Sequence, residues 1–204
     1  MPAASGSVFI NVPFDRQYKK LFDALVFAVH DCGFLARGAL EQDDGSQVRL
    51  DKILEIVGKC SLSIHDLSRT SLDSKFHLPR FNMPLELGIF IGAKKFGGAK
   101  HKGKSCLILD RDPYRFQIFC SDIAGQDIRA HHNDVSDAIA AVRNWLRTNH
   151  PSNTGIPGAA RISGRYLRFR QQLPALGRAA GLDIRELNFL DYRTLVSGWL
   201  DENS

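Results

Sequence analysis

The chain has 204 residues, 44% of them hydrophobic, and a formal net charge of +5, enough apolar material for a sizeable core and most simply one domain with an appendage. No apolar run approaches the length of a membrane span, and the first residues lack the basic-then-apolar order of a signal peptide, so neither a membrane partner nor secretion is expected. The four cysteines, Cys32, Cys60, Cys106 and Cys120, are scattered without a Cys-x-x-Cys pair and read as buried free thiols of a reducing cytoplasm.

Ser7-Val8-Phe9-Ile10-Asn11-Val12 is rich in β-formers and stops at Pro13, the pattern of a first strand. Tyr18, Leu21, Phe22, Leu25, Val26 and Val29 then recur with helical period up to Cys32-Gly33. Phe34 to Leu40 is a weaker second strand, followed by a polar loop over 41–45. Leu50, Ile53, Leu54 and Val57 mark a second helix, and Ser61 to Asp66 a third strand. Asn82 offers a helix N-cap, with Pro84 in the first turn, so a third helix opens there and runs through Glu86, Ile89, Phe90 and Ile91. Ser105 to Asp110 is the clearest buried strand. A short helix and a brief strand over 127–130 follow, and Val135, Ala138, Ile139, Val142, Trp145 and Leu146 lie on one face of a closing helix.

Alternating strands and helices predict a flavodoxin-like, doubly wound parallel sheet covered on both faces, spanning 7–149. The stretch 150–158 reads as a linker by its proline, glycine and polar content. Beyond it, 159–204 forms a C-terminal helical appendage, with one helix marked by Tyr166, Phe169, Leu173 and Leu176 and another by Leu187, Leu190, Tyr192, Leu195 and Trp199. Two helices bury too little alone, so they are expected to pack on the main domain or to build a homo-oligomer.

Ligands of such sheets sit beyond the carboxyl ends of the strands. That rule brings three segments together: Pro13-Phe14-Asp15 after the first strand, Asp66-Leu67-Ser68-Arg69 after the third, and Asn82-Met83-Pro84-Leu85-Glu86 opening the third helix. Glu86 is the only carboxylate of its segment. Near the positive end of a helix it should stay ionised, and an ionised carboxylate can stabilise or capture an electron-poor sugar carbon. Asp66 suits ribose hydroxyls or a departing base, Phe14 suits stacking on a base, and Arg69 or Arg16 suits a phosphate. The plainer reading of each is a capping or turn residue.

Other patterns carry less. Gly98 to Ser105 matches the phosphate-loop spacing G-x-x-x-x-G-K-[ST], but the strand follows the match instead of preceding it, so Lys104 is not expected to bind phosphate. His131-His132 lacks a second ligand pair at suitable spacing, so no metal or other cofactor is expected. His65 reads as a core histidine. Lysines crowd 94–104 and arginines the last quarter. Solvated faces explain both first and attraction to phosphate-bearing ligands second, while no aromatic-interleaved motif points to nucleic acid.

Asn11-Val12-Pro13-Phe14-Asp15, Ile64-His65-Asp66 and Pro84-Leu85-Glu86-Leu87-Gly88 resemble the corresponding elements of nucleoside 2-deoxyribosyltransferases, and the same arrangement is similar to TIR domains. The likeness runs from about Val8 to Leu146. Where the transferases usually carry an Asp-Gly-Thr-like turn, this chain has Arg80-Phe81-Asn82-Met83. The resemblance implies cleavage or transfer at an N-glycosidic bond of a nucleoside, nucleotide or NAD-like dinucleotide. Glu86 would be nucleophile or oxocarbenium stabiliser, Asp66 would position ribose or base, and Pro13, Phe14, Asp15, Arg69, Asn82 and Met83 would line the pocket. A non-catalytic nucleotide sensor and a plain interaction module are the competing classes.

Overall fold

The computed structural model of the chain describes residues 6–41, 44–70, 72, 75, 77–79, 81–150 and 155–203. In order, its elements are β1 (Ser7–Asn11), α1 (Lys19–Asp31), β2 (Leu35–Arg37), α2 (Arg49–Lys59), β3 (Leu62–Asp66), α3 (Asn82–Phe96) and the short α4 (Ala99–Lys102). They continue with β4 (Ser105–Asp110), β5 (Ile128–Ala130), α5 (Val135–Asn149), α6 (Ala159–Ala179) and α7 (Phe189–Glu202). The strands form one all-parallel sheet in the order β2-β1-β3-β4-β5. This is the flavodoxin-like, doubly wound arrangement, with its topological switch beside β1 and β3.

Helices cover both faces, which is why β1 and β4 carry continuous apolar runs and every residue of the central β3, Ser63 and His65 included, is buried. On one face Val8, Ile10 and Ile64 pack against Leu25 and Val29 of α1 and Ile139 and Val142 of α5. On the other, Phe9 packs with Ile53 and Val57 of α2 and Phe90 of α3. The second strand is shorter than its sequence pattern suggests, because a 3-10 turn over Ala39–Glu41, closed by Glu41 N–H donating to Gly38 O, ends it early. The short helix expected after β4 takes the form of two 3-10 turns, Arg115–Ile118 and Ser121–Ile123.

The tail is packed on α1. The Phe27 ring lies 5.4 Å from the rings of both Tyr166 and Phe169 and 5.9 Å from Trp199. Tyr192 Oη donates to Asp23 O at 3.0 Å. Helix α1 is therefore held between sheet and tail, and Leu21 and every residue from Asp23 to His30 are buried. Gly177 allows the chain to fold back after α6, since a Cβ there would lie 2.6 Å from Ile184 Cγ2. That reversal brings residues 185–190 over the carboxyl ends of β1 and β2.

The phosphate-loop match lies in α4 and the turn before β4. Lys104 is buried; its Nζ donates to the carbonyls of Val57 and Cys60 at 2.5 Å each and sits 4.7 Å from the Phe90 ring centroid. It caps the carbonyl end of α2, where a cation complements the helix dipole. Cys32 and Cys60 are buried free thiols, whereas Cys106 and Cys120 are half-buried, a departure from the expectation for Cys106. Among the described residues no helix is long and apolar enough to cross a membrane.

Candidate functional site

The carboxyl ends of the strands carry a dense polar layer. Asp66, at the end of β3, accepts from Tyr18 Oη at 2.5 Å and from Ser68 N–H at 2.7 Å, and its Oδ2 lies 3.0 Å from His131 Nε2. Asn133 N–H donates to His131 Nδ1 at 3.0 Å, while Nε2, close to Asp66 Oδ2, makes no hydrogen bond of good geometry. Burial, followed by the Asp66 charge, holds the Tyr18 hydroxyl well above its ordinary pKa, so it remains a donor. Asp66 and His131 are both completely buried. Asp66, expected to meet ribose hydroxyls or a leaving base, is placed with its oxygens accepting from Tyr18 and Ser68.

The neighbouring loops are fixed in the same way. Asp15 Oδ1 accepts from Gln17 N–H and Tyr18 N–H at 3.0 Å each, opening α1, while its Oδ2 receives Arg69 Nε at 3.1 Å. Arg69, a candidate phosphate ligand by sequence, is thus the partner of Asp15. One strand further on, Arg115 donates to buried Asp110, to Thr70 Oγ1 at 2.6 Å and to Leu67 O at 2.9 Å. It ties the loop after β3 to the loop after β4.

Asn11 connects β1 to α3. Its Nδ2 donates to His65 Nδ1 at 2.9 Å and to Met83 O at 3.2 Å. His65 is wholly buried between Phe9 and Phe90, with Nε2 2.9 Å from Ser63 Oγ, and burial lowers its pKa to about 3. It is a neutral core histidine. Met83 serves through its carbonyl, its side chain being buried, and Asn82 is exposed.

Asn82 does not cap α3. Phe81 already has helical backbone angles (φ −87°, ψ −8°) and Leu85 N–H donates to Phe81 O, so Asn82 is the first residue inside the helix. Pro84 still falls among the first residues, whose N–H groups have no partner within the helix. Glu86 consequently stands in the second turn, where the dipole has weakened.

Met83, Glu86, Leu87 and Phe90 form the buried stripe of α3, and Glu86 is only 5% exposed. Among the described residues its carboxyl has no hydrogen-bond or ion-pair partner. Burial raises its pKa from 4.5 to about 7, and the Arg49 charge opposes that rise without cancelling it. The expectation that Glu86 stays ionised is therefore corrected: burial penalises its charged form.

Beside these residues lies a cleft of about 750 Å³. Its walls are the loop after β1 with the start of α1, the turn after β2, the start of α2, and the segment leading into α7. Pro13, Phe14 and Asp15 line it, whereas Asp66, Arg69, Asn82, Met83 and Glu86 do not. Arg49 belongs to the cleft wall and acts electrostatically on Glu86, which links the two.

Several residues of this region carry no sequence motif. The carboxyl-end rule that marks Asp66 also marks Asp110 and His131, the ends of the next two strands. Tyr18, four residues beyond Phe14, stands immediately before α1 and reaches the end of β3. Nothing in the sequence signals Arg49 or the contribution of residues 185–190. Among the described residues no group of three or more His, Cys, Asp or Glu side chains is placed to hold a metal ion. Comparison with protein-family models and with curated proteins finds no match to this chain.

Proposed function

We propose that the protein cleaves or transfers at the N-glycosidic bond of a nucleoside, nucleotide or NAD-like dinucleotide, with Glu86 as the reacting carboxylate. The observation that carries this reading is a buried, unpartnered carboxyl with a pKa near 7, on the helix that opens beside the carboxyl ends of β1 and β3. Unpartnered carboxyls with such pKa values gather at functional sites, because a structural ion pair would lower the value instead. The family resemblance carried by Pro13-Phe14-Asp15, Asp66 and Glu86-Leu87-Gly88 points the same way.

In this chemistry the C1′–N bond breaks and its electron pair leaves with the base, which takes a proton. The ionised Glu86 either bonds to C1′ or stands as counter-ion to the oxocarbenium; water or an acceptor hydroxyl then adds to C1′ and loses its proton, and any Glu86–C1′ bond breaks with its electron pair returning to the carboxylate. Asp66, Tyr18 and His131 are positioning residues that hold the floor of the site, and Asn11 fixes the first turn of α3.

A nucleotide sensor is the second reading, favoured by the absence of Glu86 from the cleft lining. The test incubates the purified protein with a panel of nucleosides, nucleotides and NAD and follows release of free base. Release by the native protein that falls by roughly 10²–10⁴-fold in Glu86→Gln supports the enzyme. Equal turnover by Glu86→Gln removes Glu86 from the mechanism, and binding without release identifies the sensor.

A further inference from the structure

We infer that the cleft between the β1 loop and the tail binds a nucleoside monophosphate-like ligand, with its phosphate on Arg16 and Arg49 and its ring against an apolar wall that the tail helps to build. The inference narrows the substrate of the proposed activity and rests on that reading in taking the ligand to be nucleotide-like.

Charge selects the anion. Among the described residues the cleft carries three carboxylates, and each is already matched: Asp15 by Arg69, Asp23 by Lys19 and Arg170, and Glu41 by Arg37 and Arg193. Arg16 and Arg49 are exposed on the same cleft and, among the described residues, neither has a hydrogen-bond or ion-pair partner. Two guanidinium forks on one cleft, neither held by a hydrogen bond or ion pair although the Arg49 charge also acts on Glu86, favour a group that accepts several hydrogen bonds and carries negative charge, and phosphate does both.

Shape and polarity select the remainder. Phe14, Leu40 and Leu190 come from three different elements, converge on the cleft and remain 36%, 41% and 38% exposed. The volume of about 750 Å³ lies within the range of small-molecule sites, which combine apolar walls with a few polar groups. A flat ring covering Phe14, Leu40 and Leu190 would remove that apolar surface from water. Leu190 opens α7, so the ligand would contact the α/β layer and the tail together.

The experiment uses the full-length Glu86→Gln protein, which holds ligand without turning it over. Calorimetry measures binding of the four ribonucleoside monophosphates, their matching nucleosides and inorganic phosphate. At least one monophosphate is expected to bind about tenfold or more tighter than both its nucleoside and free phosphate. Adding Arg16→Ala and Arg49→Ala should abolish the advantage over the nucleoside, and adding Leu190→Glu should weaken nucleotide and nucleoside alike, with unchanged circular dichroism in each case. No monophosphate binding tighter than its nucleoside, free phosphate binding as tightly as the nucleotides, or an undiminished advantage in the double arginine variant overturns the inference, even if the native protein releases base. Expected binding combined with no base release from any compound instead overturns the proposed activity.

Discussion

The raised pKa of Glu86 makes a quantitative prediction about folding. In the unfolded chain the carboxyl titrates near 4.5, and in the folded protein near 7. Between those values the folded state keeps a proton that the unfolded state has released, so raising the pH through this window destabilises the native protein. Below about 4.5 both states are protonated and above about 7 both are ionised, so the effect is flat outside the window. The full gap corresponds to about 3.4 kcal/mol, and local relaxation around the buried charge reduces it to about 1–3 kcal/mol. Glu86→Gln has nearly the same shape and does not titrate. It should match the native protein in stability near pH 4.5 and exceed it by about 1–3 kcal/mol at pH 8. Asp23, Asp31 and Asp110, whose pKa values burial also raises, are common to both proteins and cancel in the difference. Urea unfolding of both proteins at pH 5, 6, 7 and 8 measures it. A stability difference independent of pH, or a less stable Gln variant at pH 8, refutes the argument that Glu86 is a desolvated, unpartnered acid.

Lys104→Met should cost about 2–4 kcal/mol in chemical unfolding, because it leaves the buried carbonyls of Val57 and Cys60 without their donor; nucleotide affinity of the folded fraction should not change, and a tenfold loss would restore the phosphate-loop reading. Tyr18→Phe should cost about 1.5–3 kcal/mol, the range for a hydrogen bond to a charged group. Unaltered unfolding would show that Tyr18 and Asp66 are not coupled. Truncation after Asn149 uncovers Phe27 and the outer face of α1, so light scattering should show association. A truncated protein that remains monomeric and equally stable would contradict the packing of the tail on α1.

Local pattern was sufficient for the sheet. Strands β1 and β4 are buried on both faces and carry the apolar runs Val8-Phe9-Ile10 and Leu107-Ile108-Leu109, β3 is buried although it alternates with Ser63 and His65, and α1 and α5 carry the 3.6-residue repeat of helices packed on a sheet. Parallel strands joined by right-handed crossovers leave few ways to order them, so the meeting of the β1 and β3 loops followed from topology. The same reasoning separated Lys104 from a true phosphate loop, because the order of strand and helix is visible in sequence.

What lay beyond the sequence depends on groups distant in the chain. Asp66 looked available because its partners, Tyr18 and His131, are 48 residues before and 65 residues after it. Arg69 looked available for the same reason, its match being Asp15. Glu86 was expected to be ionised from its helix position alone; its desolvation is set by the packing of α3 on the sheet, and no local pattern encodes that. Residues 185–190 were legible as the approach to a helix, yet their place on the cleft arises from the reversal at Gly177 and the docking of α6 and α7 on α1. Periodicity determines which side chains turn inward, while charge partners, pKa values and cleft walls are settled only when distant segments meet.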